Sequence, residues 1–275
     1  MDIDNKYGAL EIQERLLPLL KRFHSFCLEH DIKYSLDWGS LLGAVRHKGF
    51  IPWDDDLDIM MNRENYDKLK RIIEKEEDIY IENKNVQTLW ISRVRYTQND
   101  RKTLYKPTID IILMDNAPDG KIARKWRIFF VLMLQGMLKV FPNYKKGNIF
   151  VKTSTFLTYN FGKLFSRETK LRWYDKLAQR SNRKKTRNIT SYFEEFSCQG
   201  KYYSPDLLDT IISVPFEDTE TYIVRDYHHC LCVQFGPNYM TPPEKSARKP
   251  GHIEKTKELR QLYAQKTSLE ILQID

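Results

Sequence analysis

The chain has 275 residues, enough for one large domain or two smaller ones with a sizeable core. Hydrophobic residues make up 41%, aromatic 13% and charged 30%, which excludes a disordered or low-complexity chain. The net charge of +8 is unevenly spread: residues 121–190 hold 18 Lys/Arg against two acids, Glu168 and Asp175, while the remainder sums to −8.

From the N-terminus, Ile12, Leu16, Leu19, Leu20, Phe23 and Cys27 recur at helical spacing and predict an amphipathic helix over 8–30, with a kink or boundary near Pro18. The alternation Ile32-Lys33-Tyr34-Ser35-Leu36-Asp37-Trp38 predicts a half-buried strand ended by Gly39-Ser40, followed by a short helix over 41–45. Residues 57–61 predict a second strand and 65–77 a helix. Further strands are expected near 79–82, 89–96 and 108–114. This order predicts a mixed α/β fold on one sheet. Residues 121–190 read as helical and 252–265 as a final amphipathic helix. The charge shifts at about 120 and 190 suggest a catalytic core over 1–120, a basic, largely helical insertion over 121–190, and a part completing the catalytic unit over 191–275.

No basic patch followed by an apolar run opens the sequence, so no secretory signal is expected. Cys27, Cys198, Cys230 and Cys232 are then expected as reduced thiols. The longest apolar stretch, 128–138, is interrupted by Gln135 and Gly136 and falls short of the ~20 residues a membrane-spanning helix needs.

Four carboxylates, Asp54, Asp55, Asp56 and Asp58, fall within five residues. On extended backbone Asp56 and Asp58 share one face while Leu57 and Ile59 share the other. Two carboxylates that close repel unless a cation lies between them, and a hard divalent ion such as Mg²⁺ or Mn²⁺ fits that need. The plain alternative is a solvated acidic turn. Asp110, inside an otherwise apolar strand, needs a partner: a metal shared with the acidic segment, or a salt bridge to Arg93 or Arg95. Between these segments, Gly39 allows close approach of the backbone to a ligand. Ser40 can cap the next helix, and Arg46 and Lys48 can neutralise a diphosphate. His228 and Cys232 share a helix face at i, i+4, but no second ligand pair at zinc-like spacing accompanies them. No phosphate-binding P-loop and no nucleophile elbow is present.

The block from Tyr34 to Asp58, YSLDWGSLLGAVRHKGFIPWDDDLD, closely resembles the signature of the LicD family, the phosphocholine transferases of bacterial surface polysaccharides and teichoic acids, related to fukutin-type ribitol-phosphate transferases. The resemblance continues at Tyr66-Asp67-Lys68-Leu69, Ile109-Asp110-Ile111 and Phe235-Gly236-Pro237-Asn238-Tyr239-Met240-Thr241-Pro242-Pro243, and skips the basic middle. It implies a nucleotidyltransferase-like mixed sheet flanked by helices, with Gly39-Ser40 as the Gly-Ser motif. Asp56 and Asp58 match the paired acids and Asp110 the third, as ligands of Mg²⁺ or Mn²⁺. The family's usual Tyr-Gly is Phe235-Gly236 here. By this resemblance the donor is CDP-choline or a similar CDP-alcohol, the acceptor a sugar hydroxyl of a lipid-linked glycan, and CMP leaves. Arg46 and Lys48 would hold the diphosphate and Asp54 would serve as base. An aromatic box for choline can be drawn from Trp38, Trp53, Trp90, Tyr105 and Tyr239. Transfer of ribitol or glycerol phosphate, nucleotidyl transfer from an NTP, and a non-catalytic regulator of surface-polymer assembly are the competing readings.

The basic middle admits three uses. It can be a solvated face, or a nucleic-acid surface around Arg183-Lys184-Lys185-Thr186-Arg187, although no nucleic-acid-binding motif accompanies it. It can also be a peripheral membrane surface, because the apolar run 128–134 is flanked by Lys125, Arg127 and Lys139. The last reading expects the protein on the inner face of the cytoplasmic membrane.

Overall fold

Helix α1 (Leu10–Glu29) forms where the periodic apolar residues predict it and buries Ile12, Leu16, Leu19, Leu20, Phe23 and Cys27. It runs through Pro18 without a boundary. Pro18 is exposed, so the carbonyl that its ring deprives of an amide partner faces solvent. The computed structural model describes residues 8–82, 91–97, 107–139, 142, 147–194 and 198–251. The helix expected over 252–265 lies outside them.

The sheet has six strands among the described residues: β1 (Ser35–Leu36), β2 (Asp58–Asn62), β3 (Ile79–Glu82), β4 (Ser92–Tyr96), β5 (Ile109–Asn116) and β6 (Ile189–Ser191). Their order is β1-β2-β5-β4-β3, with β6 paired to β5. Central β5 buries all but its last residue. A near-continuous apolar run is what a strand covered on both faces requires. This is the expected mixed α/β architecture, and the sheet is open rather than a closed barrel.

One expectation fails at the first strand. The alternation over 32–38 predicts seven extended residues, yet β1 has two, and Tyr34, Ser35, Leu36 and Asp37 are all buried. Helix α2 (Trp38–His47) starts three residues earlier than predicted. Asp37 is its N-cap, accepting from the Trp38 amide at 2.9 Å. Ser40 therefore sits inside the first turn and caps nothing. Its hydroxyl accepts the Asp58 amide at 2.9 Å instead.

After α3 (Arg63–Ile73), capped by Asn62, the chain completes the strands described above. Near the C-terminus β7 (Ile211–Phe216) and β8 (Thr219–Val224) form a hairpin with Glu217 in the left-handed region at its turn. The hairpin is fastened to β1: the Val224 amide donates to Ser35 Oγ at 2.9 Å, and the Tyr34 hydroxyl meets Thr221 Oγ1 at 3.0 Å. Helix α7 (Tyr227–Phe235) follows.

Two compact units emerge from the contacts. The first gathers the described parts of Met1–Glu82, Arg93–Ile111 and Leu208–Asp275, and the second those of Asn83–Ser92 and Ile112–Leu207. The second holds α4 (Lys121–Leu138), α5 (Ile149–Gly162) and α6 (Arg167–Ala178). Helix α4 packs on both of the others. Gly136 faces Thr158, and Gly162 lies against the Met137 backbone, so a Cβ at either glycine would collide with the neighbouring helix.

Candidate active site

The acidic segment reaches the site on extended backbone that begins before β2. Asp55, Leu57 and Ile59 turn inward and are buried, while Asp54, Asp56 and Asp58 line a cleft of about 530 Å³. The alternation predicted for Asp56 and Asp58 thus holds and extends back to Asp54. Oxygens of Asp54, Asp55 and Asp56 converge within 4.8 Å of one another.

Two elements from distant parts of the chain hold this loop. Gln13 of α1 donates from Nε2 to the Ile51 carbonyl at 3.0 Å and to the Asp54 carbonyl at 2.7 Å. Glu217 of the hairpin turn accepts the Phe50 amide at 2.8 Å, and its own amide donates to the Lys48 carbonyl at 2.7 Å. Gly39 lines the cleft. The space a Cβ would occupy is filled by the Asp54 carboxylate, so the close approach is to a side chain of the site itself.

Burial, then repulsion from Asp56, pushes the Asp54 carboxyl well above the ordinary carboxylate range. Asp58 is raised in the same way by burial and by Asp56, Asp110, Asp37 and Asp54. Asp37, unremarked in the sequence, is buried within the same electrostatic group. Burial lifts it to about 6 against the opposing hydrogen bonds from Gln234 Nε2 (2.6 Å) and the Trp38 amide. Its only sequence signal was an acid two residues before a Gly-Ser pair. Concentrated, mutually repelling hard oxygen donors are the set that a divalent cation stabilises, so these residues fit Mg²⁺ or Mn²⁺.

Asp110 is brought to the neighbouring strand, where its amide donates to the Leu57 carbonyl at 2.8 Å. Its carboxylate is gripped by Arg93 through Nε (2.7 Å) and Nη2 (2.8 Å), with Thr108 Oγ1 at 3.3 Å. The arginine expected as one of its partners is in place.

Arg46, at the end of α2, lines the cleft. It donates from Nη1 to the Tyr239 carbonyl at 3.0 Å and stacks its guanidinium 6.0 Å from the Trp53 ring centroid. Arg248, missed in the sequence, lies over the same ring at 5.0 Å. Lys48 does not line the cleft: it is the exposed left-handed C-cap of α2. Trp38, in the left-handed region at φ 45°, stands edge-on to Phe235 at 5.7 Å, and Trp53, Tyr239 and Phe235 complete an aromatic lining. Trp90 and Tyr105 lie outside the described residues. His228 and Cys232 are adjacent, as their spacing predicts, but His228 Nδ1 bonds the Tyr239 hydroxyl at 2.9 Å. Among the described residues no third ligand joins them.

Residues 31–130 match the family model described as LicD/FKTN/FKRP, nucleotidyltransferase domain. The chain is 29% identical to the lipopolysaccharide cholinephosphotransferase LicD of Haemophilus influenzae, over 90% of its own length and 97% of the relative's. A shorter stretch of 64 residues is 44% identical to an uncharacterized protein of Rickettsia prowazekii, covering 23% of this chain and 24% of that protein. Over residues 31–130 the chain is thus similar to the nucleotidyltransferase domain of the LicD family, and along most of its length to one cholinephosphotransferase.

Proposed function

We propose that the protein is a transferase that moves phosphocholine from CDP-choline to a sugar hydroxyl of a cell-surface glycan, with lipopolysaccharide as the acceptor class and release of CMP. The observation that carries this reading is the convergence of Asp54, Asp56 and Asp58 on one cleft wall with Arg46 and aromatic rings around it. Similarity to the Haemophilus influenzae cholinephosphotransferase along nearly the whole of both chains supports the choice of phosphocholine.

In this reading Asp56 and Asp58 would hold a divalent cation, which would supply positive charge to the phosphate oxygens. Arg46 binds the diphosphate and Arg248 adds positive charge beside it, both placed over the Trp53 ring. Trp38, Phe235, Trp53 and Tyr239 offer ring faces and edges to the quaternary ammonium. Asp54, with its raised proton affinity, takes the proton of the acceptor hydroxyl as the hydroxyl oxygen bonds to the choline-bearing phosphorus. The bridging oxygen of the diphosphate leaves with CMP. Asp110, paired with Arg93, adds negative charge beside Asp58 from the adjacent strand.

Incubation with CDP-choline, Mg²⁺ and deacylated lipopolysaccharide tests this. The expected result is CMP release together with a phosphocholine-bearing glycan. Turnover with CDP-ribitol but not CDP-choline would move the assignment to another alcohol phosphate. Pyrophosphate from CTP would replace it with nucleotidyl transfer.

A further inference from the structure

Helix α4 buries polar groups beside Val131, Met137 and Leu138 and keeps an apolar outer face. Its buried face carries Arg127, which donates to the Leu177 carbonyl at 2.8 Å and to Ser181 Oγ at 3.2 Å. Gln135, on the same face, donates to the Tyr174 hydroxyl at 3.0 Å and to the Glu194 carbonyl at 2.8 Å. Its outer face carries Ile122, Trp126, Phe129 and Phe130, all within about 100° of arc at helical spacing. Ile122 is 74% exposed, and the three rings contact one another with centroids 5.5–5.9 Å apart. Its packing partner α5 also exposes large apolar rings, with Phe150 75%, Phe156 55% and Phe161 53% exposed. Soluble chains do not leave large apolar clusters of this kind in water without a use.

We infer that the outer faces of α4 and α5 form a docking surface for an anionic lipid bilayer. Charge selects this occupant. Lys121, Lys125, Lys163 and Arg172 are exposed on the same helical unit, and residues 121–190 contain only two acids against 18 Lys/Arg. Aromatic side chains entering the headgroup boundary beside lysines that meet anionic lipid are the signature of a helix lying in the interface. The geometry is peripheral, because among the described residues no helix is long and apolar enough to cross a membrane. None of the residues of this surface lines the cleft, and the inference does not depend on the proposed reaction, so its test needs no substrate.

The full chain is sedimented with vesicles of phosphatidylcholine mixed with phosphatidylglycerol, and with phosphatidylcholine alone. The expected result at low salt is binding at least about tenfold tighter to the anionic vesicles, weakening as salt rises. The triple variant Trp126→Ser/Phe129→Ser/Phe130→Ser lowers binding by about tenfold or more and leaves CMP release with a water-soluble acceptor unchanged. Lys121→Glu/Lys125→Glu reduces the preference for anionic vesicles while keeping the aromatic face. Failure to bind anionic vesicles at low salt, or equal binding to both compositions, overturns the proposal. So does a dimer in solution that the triple variant converts to monomer, since the surface would then belong to a second copy.

Discussion

The Asp54 carboxylate fills the space that a Cβ on Gly39 would need, so the start of α2 and the acidic loop approach each other as backbone against side chain. Gly39→Ala forces that carboxylate aside in a cleft where a displacement of about 1 Å can cost two orders of magnitude in rate. The expected outcome is a loss of about a hundredfold in kcat for CMP release. Thermal unfolding of the variant checks that the fold survives.

Asp56 lies among the charges that raise both Asp54 and Asp58. Asp56→Asn relieves repulsion in the metal-free protein, so its melting temperature without Mg²⁺ should equal or exceed that of the parent. Saturating Mg²⁺ at about a hundred times its Kd should stabilise the parent by about 2.7 kcal/mol and the variant far less. Melting curves with and without the ion, together with CMP release, read both effects.

Arg93 and Asp110 form a pair of which both side chains are about nine-tenths buried. Removing one partner leaves a buried charge exposed to no counter-charge, a loss of about 3 kcal/mol. Arg93→Met and Asp110→Leu should each destabilise by that order, and the double variant by clearly less than their sum. Urea unfolding of the four proteins in the cycle measures the coupling.

Arg248 lies over Trp53, a residue that lines the cleft. Arg248→Ala should raise KM for CDP-choline by about tenfold, on the scale of one charge-assisted contact to phosphate, with a smaller change in kcat. Steady-state kinetics with the donor varied distinguishes this from a folding defect, which would lower the active fraction alone.

His24 is buried, with Nδ1 2.9 Å from the Tyr34 hydroxyl, and burial lowers its pKa from 6.5 despite the attraction of Glu220. The folded protein therefore holds this ring neutral where the unfolded chain would protonate it. Its contribution is fully present above pH 6.5 and is lost progressively as the pH falls through the lowered folded value. The parent should lose more stability than His24→Gln between pH 7.5 and pH 5, as followed by urea midpoints.

The acidic segment was legible because alternation on extended backbone survives outside a hydrogen-bonded strand: Asp54, Asp56 and Asp58 share a face although β2 starts only at Asp58. Helix α1 and the buried run of β5 were equally plain, since each follows a single period over many residues. The start of α2 was not legible. Asp37 continues an apolar-polar alternation on paper, yet its side chain ends the strand by capping a helix, a choice made by one hydrogen bond. Ser40 then loses the capping role and takes the Asp58 amide. Arg248 and Gln13 left no local signal, because each enters the site only through contacts made across the fold.

The contact from Gln13 to the Asp54 carbonyl has a consequence for what counts as the working unit. The family segment spans residues 31–130, but the loop that presents its acids hangs from an amide 18 residues upstream of it and a carboxylate at Glu217, far downstream. A fragment cut to the recognised segment would keep every aspartate and lose both brackets. The posture of the acids is therefore set by chain outside that segment, which also supplies Phe235 and Tyr239 to the cleft lining.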